Sequence, residues 1–105
     1  MTVPNQPPGG AADARPATFA EALACLAVDA TISPDRLREL RSAVAALERV
    51  TGQAANRLPI EPRALRPLLE AILPARFRMS RKRWTNVRSG LAAIGILTGY
   101  VTPAA

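Results

Sequence analysis

Residues 33–52, SPDRLRELRSAVAALERVTG, carry the clearest structural signal in the chain. The segment opens with Ser33, Pro34 and Asp35, which supply an N-cap, a proline at the first helical position and an acid in the first turn. Apolar residues then recur at helical spacing until Gly52, a residue type that commonly ends helices. The segment therefore predicts one long amphipathic helix. Its apolar side consists of Leu37, Leu40, Val44, Leu47 and Thr51, with Ala43 and Val50 beside it.

A second helix start lies upstream, at Thr18-Phe19-Ala20-Glu21. In such a capping box the threonine and glutamate side chains each accept a hydrogen bond from the other residue's backbone N–H. The sequence predicts a helix from this box to about Val28. Cys25 lies between apolar residues of this helix, so we expect its thiol to be buried and unreactive. The residues near the apolar face are Phe19, Leu23 and Leu26.

Two further helices are predicted after Gly52. The third runs from Pro62 or Ala64 to Leu73, and Pro67 leaves two alternatives open, because an interior proline removes a helical hydrogen bond. Either Pro67 lies in the first turn or the helix begins late. The last helix runs from Ser80 to about Thr98, with Gly99 as its stop. The apolar sides of these two helices hold Leu65, Leu68, Leu69, Ile72, Trp84, Val87, Leu91, Ile94 and Thr98.

Four amphipathic helices with short connections indicate an all-α bundle. The chain has 105 residues, 49% of them hydrophobic and 4% aromatic, which suits one small helical domain with a light core. Residues 1–16 are rich in proline and glycine, so we predict a flexible tail there. The domain is expected to span residues 17–99, with a C-terminal tail at residues 100–105.

Several functional classes are excluded by residue types that the chain lacks. It has no histidine and a single cysteine, so it cannot supply imidazole for catalysis, a Cys/His zinc site or an internal disulfide. The serines have no plausible general base, and no glycine-rich phosphate loop is present. The chain has neither a secretory signal nor an apolar run near the ~20 residues of a membrane span. We therefore expect a cytoplasmic protein with no enzymatic activity, metal or cofactor.

The positive charge of the chain is concentrated in its later part. The net charge is +6, but residues 33–105 hold 13 basic and 5 acidic side chains, and no acid follows Glu70. Clustering of this kind is typical of a surface that faces a polyanion. The basic residues after Glu70 are Arg76, Arg78, Arg81, Lys82, Arg83 and Arg88.

Two predicted helices carry polar ridges of the composition that duplex DNA requires. Arginine and lysine contact phosphates or guanine, asparagine contacts adenine, and hydroxyl groups contact phosphate oxygens. At about 100° per residue, the arc of the last helix opposite its apolar side gathers Arg81, Lys82, Thr85, Asn86, Arg88 and Ser89. The long second helix offers a similar arc, formed by Arg38, Arg41, Ser42, Ala45 and Arg49. We expect both ridges to face the same way, with Arg76 and Arg78 contacting the nucleic-acid backbone.

Four segments carry a likeness to a known family. The sharpest is SRKRWTNVRS at residues 80–89, and the others are residues 18–23, residues 41–44 and residues 59–66. They resemble the amino-terminal, core-binding region of phage-integrase-like tyrosine recombinases, a SAM-like domain. The resemblance spans about residues 18–98.

The resemblance implies a four-helix bundle that clasps one side of duplex DNA through its second and fourth helices. It further implies double-stranded DNA and other recombinase subunits as partners, in site-specific recombination or its regulation. The family's catalytic domain has no counterpart in this sequence, and Tyr100 does not match its nucleophile. We therefore expect either an excised domain or a small free-standing relative that binds DNA without cutting it.

Other functions stay open on the sequence alone. One is a helix-turn-helix regulator or recombination accessory factor, although residues 52–61 and 74–79 are long for its turn. Another is a helical protein-interaction or transcription-regulatory protein, such as an antiactivator, whose arginines serve solubility or an acidic partner. An RNA target is also open, although no aromatic platform for single strands is visible. The oligomeric state is not predicted.

Overall fold

The computed structural model describes residues 15–100, which form four α-helices and no β-strand. A 3₁₀ turn at Ala55–Arg57 precedes the third helix, and another at Pro74–Phe77 precedes the fourth. The all-α class is therefore confirmed, while the predicted tails fall almost entirely outside the described residues. The helices are α1 (Phe19–Ala27), α2 (Pro34–Thr51), α3 (Pro62–Glu70) and α4 (Arg81–Leu97).

The start signals of α2 and α4 act as the sequence predicts. The Ser33 hydroxyl accepts a hydrogen bond from the Arg36 N–H at 3.0 Å, and the Ser80 hydroxyl accepts one from the Arg83 N–H at 3.1 Å. Gly52 ends α2 with a φ of 71°. Each cap satisfies a backbone group that the helix itself leaves without a partner.

The capping box of α1 is confirmed in only one half. The Thr18 hydroxyl accepts from the Glu21 N–H at 3.3 Å, but the Glu21 carboxylate accepts from the N–H of Ala17 at 2.7 Å, one residue before the expected donor. The segment before α1 pairs with the connection between α2 and α3, because the Phe19 N–H donates to the Leu58 carbonyl at 3.0 Å. This pairing fixes the start of α1 against the rest of the domain.

The core lies mainly between α2 and α4, and Phe19 of α1 closes it. The two helices approach most closely at Ala43 and Gly90, where a Cβ added to the glycine would lie 2.7 Å from the Cβ of Ala43. Two carbon atoms do not pack at that distance, so a side chain at position 90 would force the two helices to shift. Trp84 is 8% exposed and serves as a core anchor. The other core residues of α2 and α4 include Leu40, Val44, Leu47, Val87, Leu91 and Ile94.

The predictions for the end of α3, for Pro67 and for Cys25 are wrong. α3 begins at Pro62 and ends at Glu70 rather than Leu73, with Pro67 as its sixth residue, so neither alternative for this proline holds. Leu65 is its one fully buried apolar residue, whereas Leu68, Leu69 and Ile72 are half-buried and pack against the core. Cys25 is exposed, since it lies beside the face of α1 that buries Phe19, Ala22 and Leu26.

The turn between α1 and α2 is held by a short polar contact. The side chain of Asp29 accepts hydrogen bonds from the hydroxyl of Thr31 at 2.6 Å and from its backbone N–H at 2.9 Å. Both bonds favour the ionised carboxylate, so the hydroxyl first and the backbone N–H second hold the pKa of Asp29 below its ordinary value. The contact orders the chain just before the N-cap of α2.

Candidate nucleic-acid interface

An open groove of about 860 Å³ lies between α2 and α4, on the N-terminal side of their closest contact. The residues that line it come from the N-terminal halves of both helices. We call it the α2–α4 groove. Four of the residues predicted to bind DNA line it: Arg38, Ser42, Asn86 and Ser89.

The remaining predicted residues are exposed but do not line the α2–α4 groove. Arg88 lines a different groove, between α4 and α3. The two ridges therefore face the same groove only in part, because the polar arc of α4 is wide enough to reach both of its flanks. The residues outside the α2–α4 groove are Arg41, Arg76, Arg78, Arg81, Lys82, Thr85 and Arg88.

Acidic residues compensate the arginines at the N-terminal end of α2. The guanidinium of Arg38 lies 3.1 Å from the carboxylate of Asp35, and that of Arg36 lies 3.1 Å from Glu39. These pairs are solvent-exposed and contribute only about 0–1 kcal/mol each to stability. They nevertheless place negative charge at the α2 side of the α2–α4 groove.

The basic residues before and within α4 have no such compensation. We call residues 76–88 the basic segment; it holds six arginine and lysine residues and no acid. Within residues 15–100, none of these six side chains forms an ion pair, and all of them are exposed. The guanidinium and ammonium groups are thus free to meet an external anion.

The position of this charge on α4 runs against helix stability. Cations are unfavourable near the positive end of a helix dipole, yet α4 begins with Arg81, Lys82 and Arg83 and has no acid in its first turn. α1 and α2 follow the favourable pattern, with Glu21 and Asp35 in their first turns. A bound anion would remove the conflict at the start of α4.

Arg78 adds a second local conflict in the basic segment. It has a φ of 55°, the left-handed region, where the other described residues with positive φ are Gly52 and Gly99. A side chain in this region costs about 1–2 kcal/mol. The turn is closed by hydrogen bonds from the Arg78 N–H to Ala75 and from the Met79 N–H to Pro74, both 3.2 Å long. This geometry holds the exposed Arg78 just before the first turn of α4.

Sequence reasoning missed Arg36 and Arg83, which also line the α2–α4 groove. The available signal was Gly90, because a glycine inside a helix often marks close packing against a neighbour. Once Gly90 is placed against α2, helical spacing brings Arg83 and Asn86 to the same flank of α4. The described residues contain no group of three or more acidic or cysteine side chains arranged to hold a metal ion. No helix among residues 15–100 has the length and apolarity to cross a bilayer.

Comparisons with known proteins give no match. None of the protein-family models fits the chain, and neither the curated proteins nor the solved structures include one that matches it.

Proposed function

We propose that this chain is a non-catalytic module that binds double-stranded DNA through α4 and the basic segment. The observation that carries the proposal is the set of five exposed basic side chains at residues 76–83, none of them ion-paired within residues 15–100. Arg88, the sixth basic residue of the segment, lines the separate groove towards α3. Uncompensated positive charge around a helix N-terminus is what a phosphate backbone requires. The sequence tolerates unfavourable charge and backbone geometry there, as functional surfaces commonly do.

The polar side chains of α4 are suited to different contacts with DNA. Arginine and lysine side chains contact phosphates and fix the position of the domain on the duplex. Asn86 carries the amide that pairs with both hydrogen-bonding groups of adenine, so it is the candidate for reading a base in the major groove. Thr85 and Ser89 lie beside Asn86 on the outward arc and supply hydroxyl donors for phosphate oxygens.

α2 has a secondary role in this proposal. Asp35 and Glu39 repel phosphates and reduce the net attraction of Arg36 and Arg38. Ser42 and Arg41 remain exposed and unencumbered by acids within the described residues. The sequence already favoured the ridge of α4 over that of α2, and the ion pairs of α2 support the same order.

The biological setting follows from the resemblance to tyrosine recombinases. A core-binding module of that type acts in site-specific recombination or its regulation, with double-stranded DNA and other recombinase subunits as partners. The chain then contributes binding and not strand cleavage. The proposed compartment is the cytoplasm.

The test is duplex binding by two variants that lose equal charge. Fluorescence anisotropy with a labelled duplex of about 30 base pairs, at about 50 mM salt, compares R81Q/K82Q with R57Q/R63Q. Arg57 and Arg63 are exposed basic residues on the first 3₁₀ turn and α3, and neither is ion-paired within residues 15–100.

We expect R81Q/K82Q to lose about tenfold or more of the affinity, since each lost phosphate contact is felt strongly at low salt. R57Q/R63Q should stay within about threefold of wild type, because its charges act only at long range. Equal losses in both variants, or no binding by the wild-type chain, would overturn the proposal.

A further inference from the structure

A second groove lies on the other flank of α4, facing α3, with a volume of about 210 Å³. We call it the α3–α4 groove. Its lining is mainly apolar, and two arginines stand beside the apolar surface: Arg66 from α3 and Arg88 from α4. No acidic residue lines it among residues 15–100. The apolar lining residues are Ile60, Pro62, Leu65, Leu69, Leu91 and Ala92.

The two guanidinium groups are not neutralised by nearby acids of α3. Glu61 uses both of its carboxylate oxygens to cap the helix, accepting from the N–H groups of Arg63 and Ala64 at 3.0 and 3.2 Å. Glu70 ends the helix and forms no ion pair with Arg66. Among residues 15–100, Arg66 and Arg88 therefore hold uncompensated positive charge next to apolar surface.

This combination differs from the surface proposed to bind DNA. A phosphate backbone is not stabilised by contact with apolar surface. The groove offers such surface, since Leu69 is only half-buried there. Arginine is weakly hydrated and binds a carboxylate with two parallel hydrogen bonds, so it suits an anionic group that arrives with an apolar neighbour. The volume is below the ~300 Å³ of the smallest typical ligand pockets, which fits single side chains of a peptide.

We propose that the α3–α4 groove docks a short acidic segment of a protein partner. An apolar side chain of that segment enters the groove, and its flanking carboxylates pair with Arg66 and Arg88. A helical peptide with acidic and apolar residues three or four positions apart has the required spacing. Arg88, which the sequence assigned to the DNA ridge, belongs to this second surface.

The test begins with an unbiased selection of peptides. A displayed library of random peptides, about twelve residues long to allow some three helical turns, is selected on the full chain. We expect the enriched sequences to combine Asp or Glu with Leu, Ile or Phe. A selected peptide is then synthesised with a fluorescent label, and its affinity is measured by anisotropy for the wild-type chain and its variants.

The decisive comparison uses R66Q/R88Q against R57Q/R63Q, which removes two exposed arginines elsewhere. We expect R66Q/R88Q to lose about tenfold of the peptide affinity, as charge-assisted contacts require, and the control to stay near wild type. Circular dichroism shows whether each variant is folded, and R66K/R88K, which keeps the charge, should bind better than R66Q/R88Q.

Three results would overturn this proposal. The selection yields no acidic and apolar consensus, the selected peptide binds R66Q/R88Q as well as wild type, or duplex DNA displaces the peptide while R66Q/R88Q loses both ligands. In the last case the groove belongs to the DNA surface. The two proposals are distinguishable, because R81Q/K82Q is expected to lose duplex affinity and to keep peptide affinity. A chain that binds no duplex but binds the selected peptide would overturn the DNA proposal alone.

Discussion

α2 and α4 line the same groove and carry four basic residues each, but α2 also holds three acids and α4 none. On α2, Asp35 and Glu39 pair with arginines, and Asp35 also meets the positive end of the helix dipole. On α4, Arg81, Lys82 and Arg83 lie at the positive end of the dipole, where cations are unfavourable. The charged side chains of α2 therefore stabilise their own helix, whereas those of α4 are available to bind a partner. The two helices therefore differ in how far acids compensate their basic side chains and not in the number of those side chains.

The largest expected effect comes from reversing the charge at the start of α4. R81E/K82E should lose about a hundredfold or more of the duplex affinity, because two attractive contacts become repulsive. The same variant should be more stable than wild type by about 0.3–1 kcal/mol per residue, since acids suit a helix N-terminus. Anisotropy and urea denaturation measure the two quantities.

The matching change on α2 is R36E/R38E, which should cost much less duplex affinity. If R36E/R38E is as damaging as R81E/K82E, then the ion pairs of α2 do not compensate its arginines and the contrast between the helices disappears. A loss of both stability and affinity in R81E/K82E would point to unfolding rather than lost contacts.

The second prediction tests the contact that brings the helices together. G90A inserts a methyl group 2.7 Å from the Cβ of Ala43, and overpacking of this kind costs about 1–3 kcal/mol. Alanine has a better helix propensity than glycine, which offsets about 1 kcal/mol of this cost. Urea denaturation should therefore show a net loss of stability. The double variant A43G/G90A should recover part of it. A G90A chain that is more stable than wild type would contradict the close approach.

The third prediction concerns the acids of α2. E39Q removes a charge that repels phosphate and releases Arg36 from its partner. Duplex affinity should rise by about threefold at low salt, in keeping with the small energies of exposed charges. E70Q, which removes an exposed acid from the end of α3, is the control and should change affinity less. Unchanged affinity in E39Q would mean that α2 lies away from the duplex.

The last prediction concerns Arg78, where the expected change is also small. R78G removes the strain of a left-handed arginine and should stabilise the fold by about 0.5–1 kcal/mol. Duplex affinity should fall at the same time, because a basic side chain is lost. R76G is the informative control, since Arg76 lies within the preceding 3₁₀ turn and its φ is not positive. R76G should therefore destabilise the turn. A destabilised R78G would show that the turn does not need a left-handed residue.

Local signals made most of the fold predictable. The starts of α2 and α4 were predictable because a serine hydroxyl caps a helix through residues only three positions away, as Ser33 and Ser80 do. Helical periodicity predicted most core positions of α2 and α4, but Leu37 and Thr51 are only half-buried and the buried Ala46 was missed. The end of α3 was not predictable in this way. Apolar residues continue at helical spacing to Ile72, but the helix ends at Glu70, and tertiary packing decides where it stops.

The candidate site was less predictable, since its arrangement depends on tertiary contacts. Helical projection placed Asn86 and Arg88 on one arc, yet the packing of α4 between α2 and α3 sends them to different grooves. The left-handed conformation of Arg78 has no signature in residue type, because glycine is the usual residue there. The ion pair between Asp35 and Arg38 could have been predicted from the sequence, because residues three positions apart on a helix are neighbours.

The salt dependence of duplex binding tests the central claim most directly. The logarithm of affinity is measured against the logarithm of salt concentration for the wild-type chain and for R81Q/K82Q. If Arg81 and Lys82 each neutralise one phosphate, the wild-type slope is steeper than that of the variant by about 1.8. Parallel lines, or a wild-type affinity that does not change with salt, would contradict the assignment of α4 as the surface that meets DNA.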